Sequence, residues 1–290
     1  MRKGERDKKM KFDCLDVDNR SWGGLETLFP GWSGAEESVC VYSPHDDDAI
    51  LGAGYAMRAA AAAGARVTLV IVCDGACGYS TPEEKDGIVA RRQKETLDCY
   101  RALGLRDEDV IFLGFPDFSA IQYVGRILDP NREGHFRKTI TELRRRRVTR
   151  ILAPNHYREH IDHLAAYMIA AFDAPQAGDA IAVDWAEPCV VKSTAQYSVW
   201  AELDPEDALL KRRADPGLRA DVVLAASPDV EDAVIGCLRR YPSQAAIIAD
   251  LIDQRKARLL PDGRFIEVYR RFDPRPKLDF GPYKRLIASL

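Results

Sequence analysis

The sequence predicts an α/β fold, a Rossmann-like doubly wound and mostly parallel sheet with helices on both faces and a C-terminal elaboration. Two observations support this prediction. Short, continuous apolar runs, typical of strands buried on both faces of a parallel sheet, alternate with helical patterns. Gly64 and Gly104 follow the first two helical patterns, where helix C-termini favour glycine.

The predicted elements follow one another in βα order from residue 39 onwards. Strands are expected at 39–42, 67–73, 110–113 and 150–153, with a fifth near 189–192. Helices are expected at 49–63, 85–103, 136–147 and 163–172. A long helical stretch at 230–260 is interrupted near Tyr241-Pro242. One domain over 1–290 is predicted, with a charged leader (1–35), a Rossmann-like core (36–200) and a C-terminal elaboration (201–290) that closes one side of the site.

Composition excludes several classes of protein. The chain has 290 residues, of which 46% are hydrophobic and 30% charged, as in a soluble globular enzyme. A net charge of −3 gives no reason to expect nucleic acid or an anionic membrane as a partner. No apolar run approaches the roughly 20 residues that span a bilayer. The sequence leaves homo-oligomerisation open.

The cysteines and the N-terminus indicate a cytoplasmic protein. Seven widely spaced cysteines form no Cys-x-x-Cys pair and no even-numbered disulfide framework, so a reducing compartment is expected. Residues 1–12 are strongly charged and lack the apolar segment of a signal peptide.

A first cluster of polar side chains follows the strand predicted at 39–42. His45 and Asp48 are three residues apart, so both can face one point if a helix begins just after His45. An imidazole and a carboxylate are suitable ligands for Zn²⁺ and similar ions. Asp47 points differently and is placed to hold a water on the ion. In the alternative interpretation Asp46 is a helix N-cap and the other acids follow the helix dipole, which leaves His45 and the crowding of like charges unexplained.

Nucleotide binding is a weaker interpretation of the same segment. Gly52-Ala53-Gly54 follows the strand but does not form a G-x-G-x-x-G turn. Three carboxylates at this turn would repel a pyrophosphate.

A second cluster, His160-Ile161-Asp162-His163, follows the strand predicted at 150–153. Four of the five histidines lie in or beside the two clusters. His163 is available as a third ligand, and three protein ligands plus water are the usual arrangement of a catalytic zinc. Asp162 could accept a proton-bearing nitrogen of His160 and keep that imidazole protonated, ready to stabilise an oxyanion. The alternative is that these are polar groups on an exposed loop.

These motifs resemble the PIG-L/LmbE-like family of metal-dependent N-acetylglucosaminyl deacetylases. That family carries a His-Pro-Asp-Asp-Glu segment after its first strand and a later His-x-Asp-His segment. The matching segments here are His45 to Ala49 and His160 to His163, with weaker matches at 73–75, 92–95, 112–117 and 241–244. Asp46 replaces the usual proline and Ala49 the usual glutamate, which puts the substrate in doubt more than the catalysis.

The resemblance implies hydrolysis of an acetamide on a small-molecule amino sugar. His45, Asp48 and His163 would hold Zn²⁺, or Fe²⁺ or another divalent ion, and Asp47 would be the general base. His160, oriented by Asp162, would stabilise the oxyanion. Two further side chains would either contact substrate or form surface ion pairs: Arg92 and Asp117.

Two other functions remain open from the sequence. One is a metal-dependent amidase that acts on another N-acyl amine or on a thiol–sugar conjugate. The other is a non-catalytic sugar- or nucleotide-binding protein on a Rossmann-like scaffold, which would need no base beside an ion.

Overall fold

The computed structural model describes residues 12–290. The strands of this part of the chain are β1 (Phe12–Asp16), β2 (Ser21–Gly23), β3 (Ser38–Ser43), β4 (Arg66–Cys73), β5 (Val110–Phe115), β6 (Ile127–Asp129), β7 (Arg132–Glu133), β8 (Arg150–Pro154), β9 (Ser193–Tyr197), β10 (Val222–Ala226) and β11 (Phe265–Phe272).

The α-helices of the same residues are α1 (Leu25–Leu28), α2 (Asp48–Ala62), α3 (Ile88–Leu103), α4 (Phe136–Arg145), α5 (Ile161–Met168), α6 (Glu206–Leu210), α7 (Pro228–Leu238), α8 (Ala245–Gln254) and α9 (Gly281–Ala288). A π-helical turn, Ile169–Asp173, continues α5. Within the described residues, no helix combines the length and the apolar character that a membrane crossing requires.

Five neighbouring strands form a parallel sheet in the order β5-β4-β3-β8-β9. The chain builds outwards from β3 to β5 in one direction and from β8 to β9 in the other. The sheet therefore changes its direction of winding between β3 and β8, and open α/β sheets bind ligands at the carboxyl ends of the strands beside such a point. The predicted fold class is confirmed.

The sheet continues beyond β9 with antiparallel strands in the order β11-β10-β1-β2. Strands β10 and β11 come from the C-terminal third of the chain, and β1 and β2 come from the segment predicted as a charged leader. The sequence analysis predicts neither β1 nor β2. The part of the leader before Phe12 lies outside the described residues.

The strand predicted near 189–192 is wrong, because the strand lies four residues further on at β9. All five residues of β9 are buried although three of them are polar. The hydroxyl of Thr194 donates to the Phe272 carbonyl (2.5 Å), and the amide of Gln196 donates to Asn155 Oδ1 (3.3 Å). The apolar residues Cys189 and Val191 pack instead in a hydrophobic cluster outside the strand. A buried strand that is largely polar escapes a search for apolar runs.

Hydrophobic clusters cover both faces of the sheet. In β3, Val39 and Val41 point into the cluster that holds α2, α3 and α7, while Cys40 and Tyr42 point into the cluster that holds α4 and α5. This alternation is the period of two that a strand imposes. Helix α2 is buried along most of its length, so its amino end is fixed relative to the strand ends.

Helix α2 bends at Ala53, whose backbone is not helical (φ −132°, ψ 17°). Buried side chains bind the backbone groups around the bend. The Leu51 carbonyl accepts hydrogen bonds from Arg255 (2.7 Å) and Arg258 (3.0 Å), and the Tyr55 N–H donates to Glu267 Oε2 (3.0 Å). Side chains that insert into a helical ladder in this way are an established cause of kinks. The C-terminal third of the chain thereby fixes the first turn of α2.

Gly52, in the same turn, lets α2 approach the end of β9. A Cβ atom at Gly52 would lie 2.4 Å from the Ser198 carbonyl oxygen and 2.5 Å from a ring carbon of Tyr197. The Tyr197 hydroxyl in turn donates to the Tyr42 carbonyl at 2.7 Å. Neither neighbour can move without disturbing the sheet, so the contact requires glycine.

We predict that Gly52→Ala destabilises the protein by about 1–3 kcal/mol or more, because the methyl group overpacks a backbone contact. The matched control is Gly236, which is exposed in the last turn of α7, where no atom beyond the backbone of its own helix would lie within 4 Å of an added Cβ. Gly236→Ala should be neutral or stabilising by up to about 1 kcal/mol. Urea unfolding measures both; equal effects of the two substitutions would contradict the assignment.

Candidate metal centre

The two predicted clusters meet at the carboxyl ends of β3 and β8. Asp48 Oδ2 lies 3.1 Å from His45 Nδ1 and 3.2 Å from His163 Nε2, although these two histidines are remote in sequence. The same oxygen accepts the backbone N–H of His45 at 2.8 Å. One donor atom from each side chain lies within 4.8 Å of the others. The structure thus brings together the three predicted ligands.

These three side chains fit a divalent cation. Among the described residues, Asp48 Oδ1 is buried without a hydrogen-bond partner, and the buried His163 Nε2 has only its 3.2 Å contact with Asp48 Oδ2, which is not aligned as a hydrogen bond. Such groups are costly to bury unless another group binds there. Two imidazoles and a carboxylate are ligands that Zn²⁺ and related ions accept.

The electrostatics of the cluster lead to the same conclusion. Burial lowers the pKa of His163, but the Asp48 carboxylate and the bond to Glu159 outweigh it and raise that pKa to about 9. Burial likewise opposes charge on His45, yet its bonds to Asp162 and Asp48 raise its pKa well above the usual value. Burial raises the pKa of Asp48, and the two imidazoles more than reverse this. The pocket favours positive charge, which protons or a cation can supply.

Two other groups share His45, and both are weaker candidates for a metal site. In one, burial raises the pKa of the Cys73 thiol to about 12, which disfavours the thiolate. Its third member, Asp117, already accepts the backbone N–H groups of Gly75 (3.0 Å) and Cys77 (2.8 Å). The other group joins His45 to His160 and Asp162.

Asp162 contacts both predicted imidazoles. Its Oδ2 lies 3.3 Å from His45 Nε2 and 3.5 Å from His160 Nδ1. It also accepts backbone N–H groups from Phe118 (2.7 Å) and Ala120 (3.2 Å). His160 Nδ1 accepts the Asp162 N–H at 3.2 Å, so the carboxylate receives no proton from that nitrogen. Asp162 therefore contacts His45 through its carboxylate and His160 through its backbone N–H, an arrangement that differs from the predicted acceptance of a His160 proton.

His160 is not held in its charged form by these contacts. Burial lowers its pKa, and the positive charge of His45 lowers it further. A neutral imidazole whose Nδ1 accepts a hydrogen bond carries its proton on Nε2. The side chain is 22% exposed, so this N–H can reach a bound molecule.

Asp47 lies beside the three ligands and is 14% exposed. Burial raises its pKa to about 7, and the neighbouring Asp48 and Asp46 carboxylates contribute to the increase. Arg92, 4.0 Å away, opposes it. A carboxyl group that titrates near neutrality is suited to proton transfer.

Asp46, the first of the three consecutive acids, has its charge balanced by a buried arginine. Arg92 donates from two nitrogens to its two carboxylate oxygens, at 3.0 Å for the Nε bond, and Thr96 donates to it at 3.2 Å. Arg92 is 6% exposed and Asp117 9% exposed. The structure therefore does not bring these two predicted substrate-contacting side chains to the surface of the site, and their predicted role stays untested.

Glu159 also belongs to the site, although it is not among the residues predicted from the sequence. Its Oε2 lies 2.6 Å from His163 Nδ1, and Oε1 accepts the backbone N–H groups of the segment 199–201. An Nδ1–H donated to a carboxylate leaves Nε2 free to bind a metal and fixes the ring. The spacing of four residues between Glu159 and His163 could have indicated this contact from the sequence. His156, by contrast, contacts Gln196 (2.8 Å) and lies outside all three groups.

The fold and the site define a Rossmann-like protein with a His-Asp-His centre at its switch point. The family model described as PIG-L, GlcNAc-PI de-N-acetylase, matches residues 40–172, a stretch that contains every residue of the centre. The resemblance predicted from the motifs is thus confirmed over this segment. No curated protein sequence matches the chain.

Solved structures with the same fold include enzymes of different kinds. The N,N'-diacetylchitobiose deacetylase from Pyrococcus horikoshii is 17% identical, over 83% of this chain and 85% of that one, with a TM-score of 0.58. GalB, the 4-carboxy-2-hydroxymuconate hydratase from Pseudomonas putida KT2440, is 17% identical over 84% and 99%, with the same score of 0.58.

A third structure with the same fold is described as a zinc-inhibited form. The zinc-inhibited form of teicoplanin deacetylase Orf2 is 18% identical, over 81% of this chain and 97% of that one, with a TM-score of 0.51. At these identities the likeness shows the fold alone, and the reaction has to be inferred from the site.

We predict that Zn²⁺ stabilises the folded wild-type protein and so raises its thermal midpoint. At a Zn²⁺ concentration of about 100 times the Kd, the free energy of unfolding should increase by about 2.7 kcal/mol. Without added ion, the charged His163 stabilises the fold below about pH 6.5, and this contribution is lost as the pH rises through about 9. Protons and the ion compete, so the increase should be larger at about pH 8 than at about pH 6.

His163→Ala should abolish the increase and His156→Ala should retain it, as differential scanning fluorimetry can measure. An undiminished increase in His163→Ala would exclude this imidazole as a ligand.

Proposed function

We propose that this protein is a divalent-cation-dependent hydrolase that removes the acetyl group from an N-acetylated amino sugar. One observation carries the proposal: Asp47, with a pKa raised to about 7, lies beside the convergent side chains of His45, Asp48 and His163. The matched family description and the chitobiose deacetylase with the same fold support the reaction type and the substrate class.

His45, Asp48 and His163 would hold the cation, with Zn²⁺ as the first candidate and Fe²⁺ as the second. Such an ion polarises a carbonyl group and lowers the pKa of a water bound to it towards about 7. The zinc-inhibited teicoplanin deacetylase is a reason to compare several ions at several concentrations.

Asp47 acts as the general base in this proposal. Its carboxylate takes a proton from the attacking water, and the raised pKa lets it return that proton to the departing amine near neutral pH. Its neighbour Asp48 has the opposite shift and stays ionised. Adjacent carboxylates with opposite shifts are a recurring arrangement in hydrolytic sites.

His160 stabilises the oxyanion as a neutral donor. Its Nδ1 accepts the Asp162 N–H, so the proton on Nε2 is available for the negative oxygen that develops when water adds to the acetyl carbonyl. Asp162, through its contact with His45, holds a ligand imidazole in place.

We predict that Asp47→Asn lowers kcat by about 10²–10⁴-fold and leaves the bound ion in place, because the amide cannot accept a proton. The measurement is acetate release from a panel of N-acetylated sugars, with the metal content determined on the same samples. Asp229→Asn, which changes an exposed acid in the first turn of α7, is the control and should retain full activity. Normal turnover in Asp47→Asn would exclude Asp47 as the base.

We also predict that kcat/KM of the wild-type enzyme falls as the pH decreases below about 7, with a single proton taken up. The base works only when ionised, and the bound cation lowers its pKa, so the midpoint should lie at or below about 7. A steady-state pH profile measures it. An activity that increases as the pH falls through this range would contradict the assignment.

A further inference from the structure

Two exposed aromatic side chains lie beside the candidate centre and take no part in the proposed chemistry. The ring of Phe118 is centred 4.6 Å from that of His160, and the ring of Trp200 is centred 4.8 Å from that of His163. Phe118 is 62% exposed and Trp200 is 49% exposed. Single exposed apolar residues are ordinary on protein surfaces, so exposure alone assigns no function to them.

What distinguishes Phe118 is how its backbone is held. Its φ of +61° lies in the left-handed region, which costs free energy in a residue with a Cβ atom. Its N–H donates at 2.7 Å to Asp162 Oδ2, the oxygen that also lies 3.3 Å from His45 Nε2. The carboxylate that orients a ligand imidazole thus also fixes Phe118 in a strained conformation beside His160.

Trp200 is fixed in the same manner by the other supporting carboxylate. Its N–H donates to Glu159 Oε1 at 3.2 Å, and the N–H groups of its two neighbours bind the same oxygen at 3.0 Å each. Glu159 Oε2 binds His163 Nδ1. The backbone of each aromatic residue is therefore held by a carboxylate that also contacts a candidate metal ligand, so each aromatic residue is attached to the candidate site.

Trp200, whose ring lies against that of His163, also lines a cavity of about 380 Å³, although the candidate metal ligands themselves do not line it. Its walls combine apolar side chains, among them Leu51 and Leu251, with polar ones, among them Glu202, Gln254 and Arg258. A saccharide ring, which has apolar C–H faces and a rim of hydroxyl groups, matches both kinds of wall and the face of the indole.

We propose that Phe118 and Trp200 are substrate-binding residues, and that Trp200 and this cavity form a subsite for the saccharide ring next to the one that carries the acetamide. The proposal rests on the proposed function and makes it more specific. The preferred substrate has at least two rings, with Phe118 in contact with the reacting one.

The test compares N-acetylglucosamine with its β-1,4-linked disaccharide as substrates of the cation-loaded full chain. The wild-type enzyme should have the lower KM for the disaccharide. Trp200→Ala should raise that KM by about tenfold and the KM for the monosaccharide by no more than about threefold, so that the preference for the disaccharide is lost. Trp22→Ala is the control, since Trp22 is 51% exposed and lies on β2, under the guanidinium of Arg264. It should change none of these values.

Phe118→Gly separates a binding role from a structural one. Glycine adopts the left-handed backbone without strain, so the thermal midpoint should stay the same or rise. Loss of the ring should raise KM for both substrates. A lower thermal midpoint with unchanged KM would show that Phe118 is only structural.

The subsite is excluded if both substrates have the same KM in the wild-type enzyme, or if Trp200→Ala and Trp22→Ala behave alike. If the wild-type enzyme releases acetate from neither sugar, the proposed function fails instead. Calorimetric titration of the disaccharide into wild type and Trp200→Ala then decides: binding lost only in the variant supports the subsite, and equal or absent binding overturns it.

Discussion

One buried carboxylate oxygen, Asp48 Oδ2, connects the two halves of the site. It lies within 3.2 Å of an imidazole nitrogen from each of two segments that are remote in sequence, and it accepts a backbone N–H as well. The connection exists only because β3 and β8 are neighbours in the sheet. The bend in α2 and the contact at Gly52 then set where the first turn of this helix, and Asp48 with it, lies relative to β8 and β9.

The three consecutive acids of the first motif take three different roles because their surroundings differ. Asp46 is paired with Arg92 and helps to hold α3 in place. Asp48 faces two imidazoles and stays ionised. Asp47, between them, is left with burial and two negative neighbours, so its pKa rises. The repulsion expected of such a run is thus relieved partly by a buried arginine and partly by the positive charge that the pocket attracts.

Much of this arrangement could be predicted from the sequence. Side chains directly after apolar strands lie at one edge of a parallel sheet, so the meeting of His45, Asp48 and His163 followed from the order of strands and clusters. The partners of long side chains could not be predicted. Arg92 reaches Asp46 across 46 residues, and nothing local distinguishes it from a surface arginine. Strand β9 was misplaced because its buried residues are largely polar, and β1 and β2 were missed because an antiparallel sheet edge leaves no apolar run.

The most direct test of the account is X-ray absorption spectroscopy on the protein loaded with one Zn²⁺ per chain, in wild type and in His163→Ala. The account predicts two imidazole nitrogens and a carboxylate oxygen around the ion, with zinc–nitrogen distances of about 2.0–2.1 Å, and loss of this signal in the variant. A sulfur ligand, which Cys73 would supply, or an unchanged spectrum in His163→Ala, would contradict it.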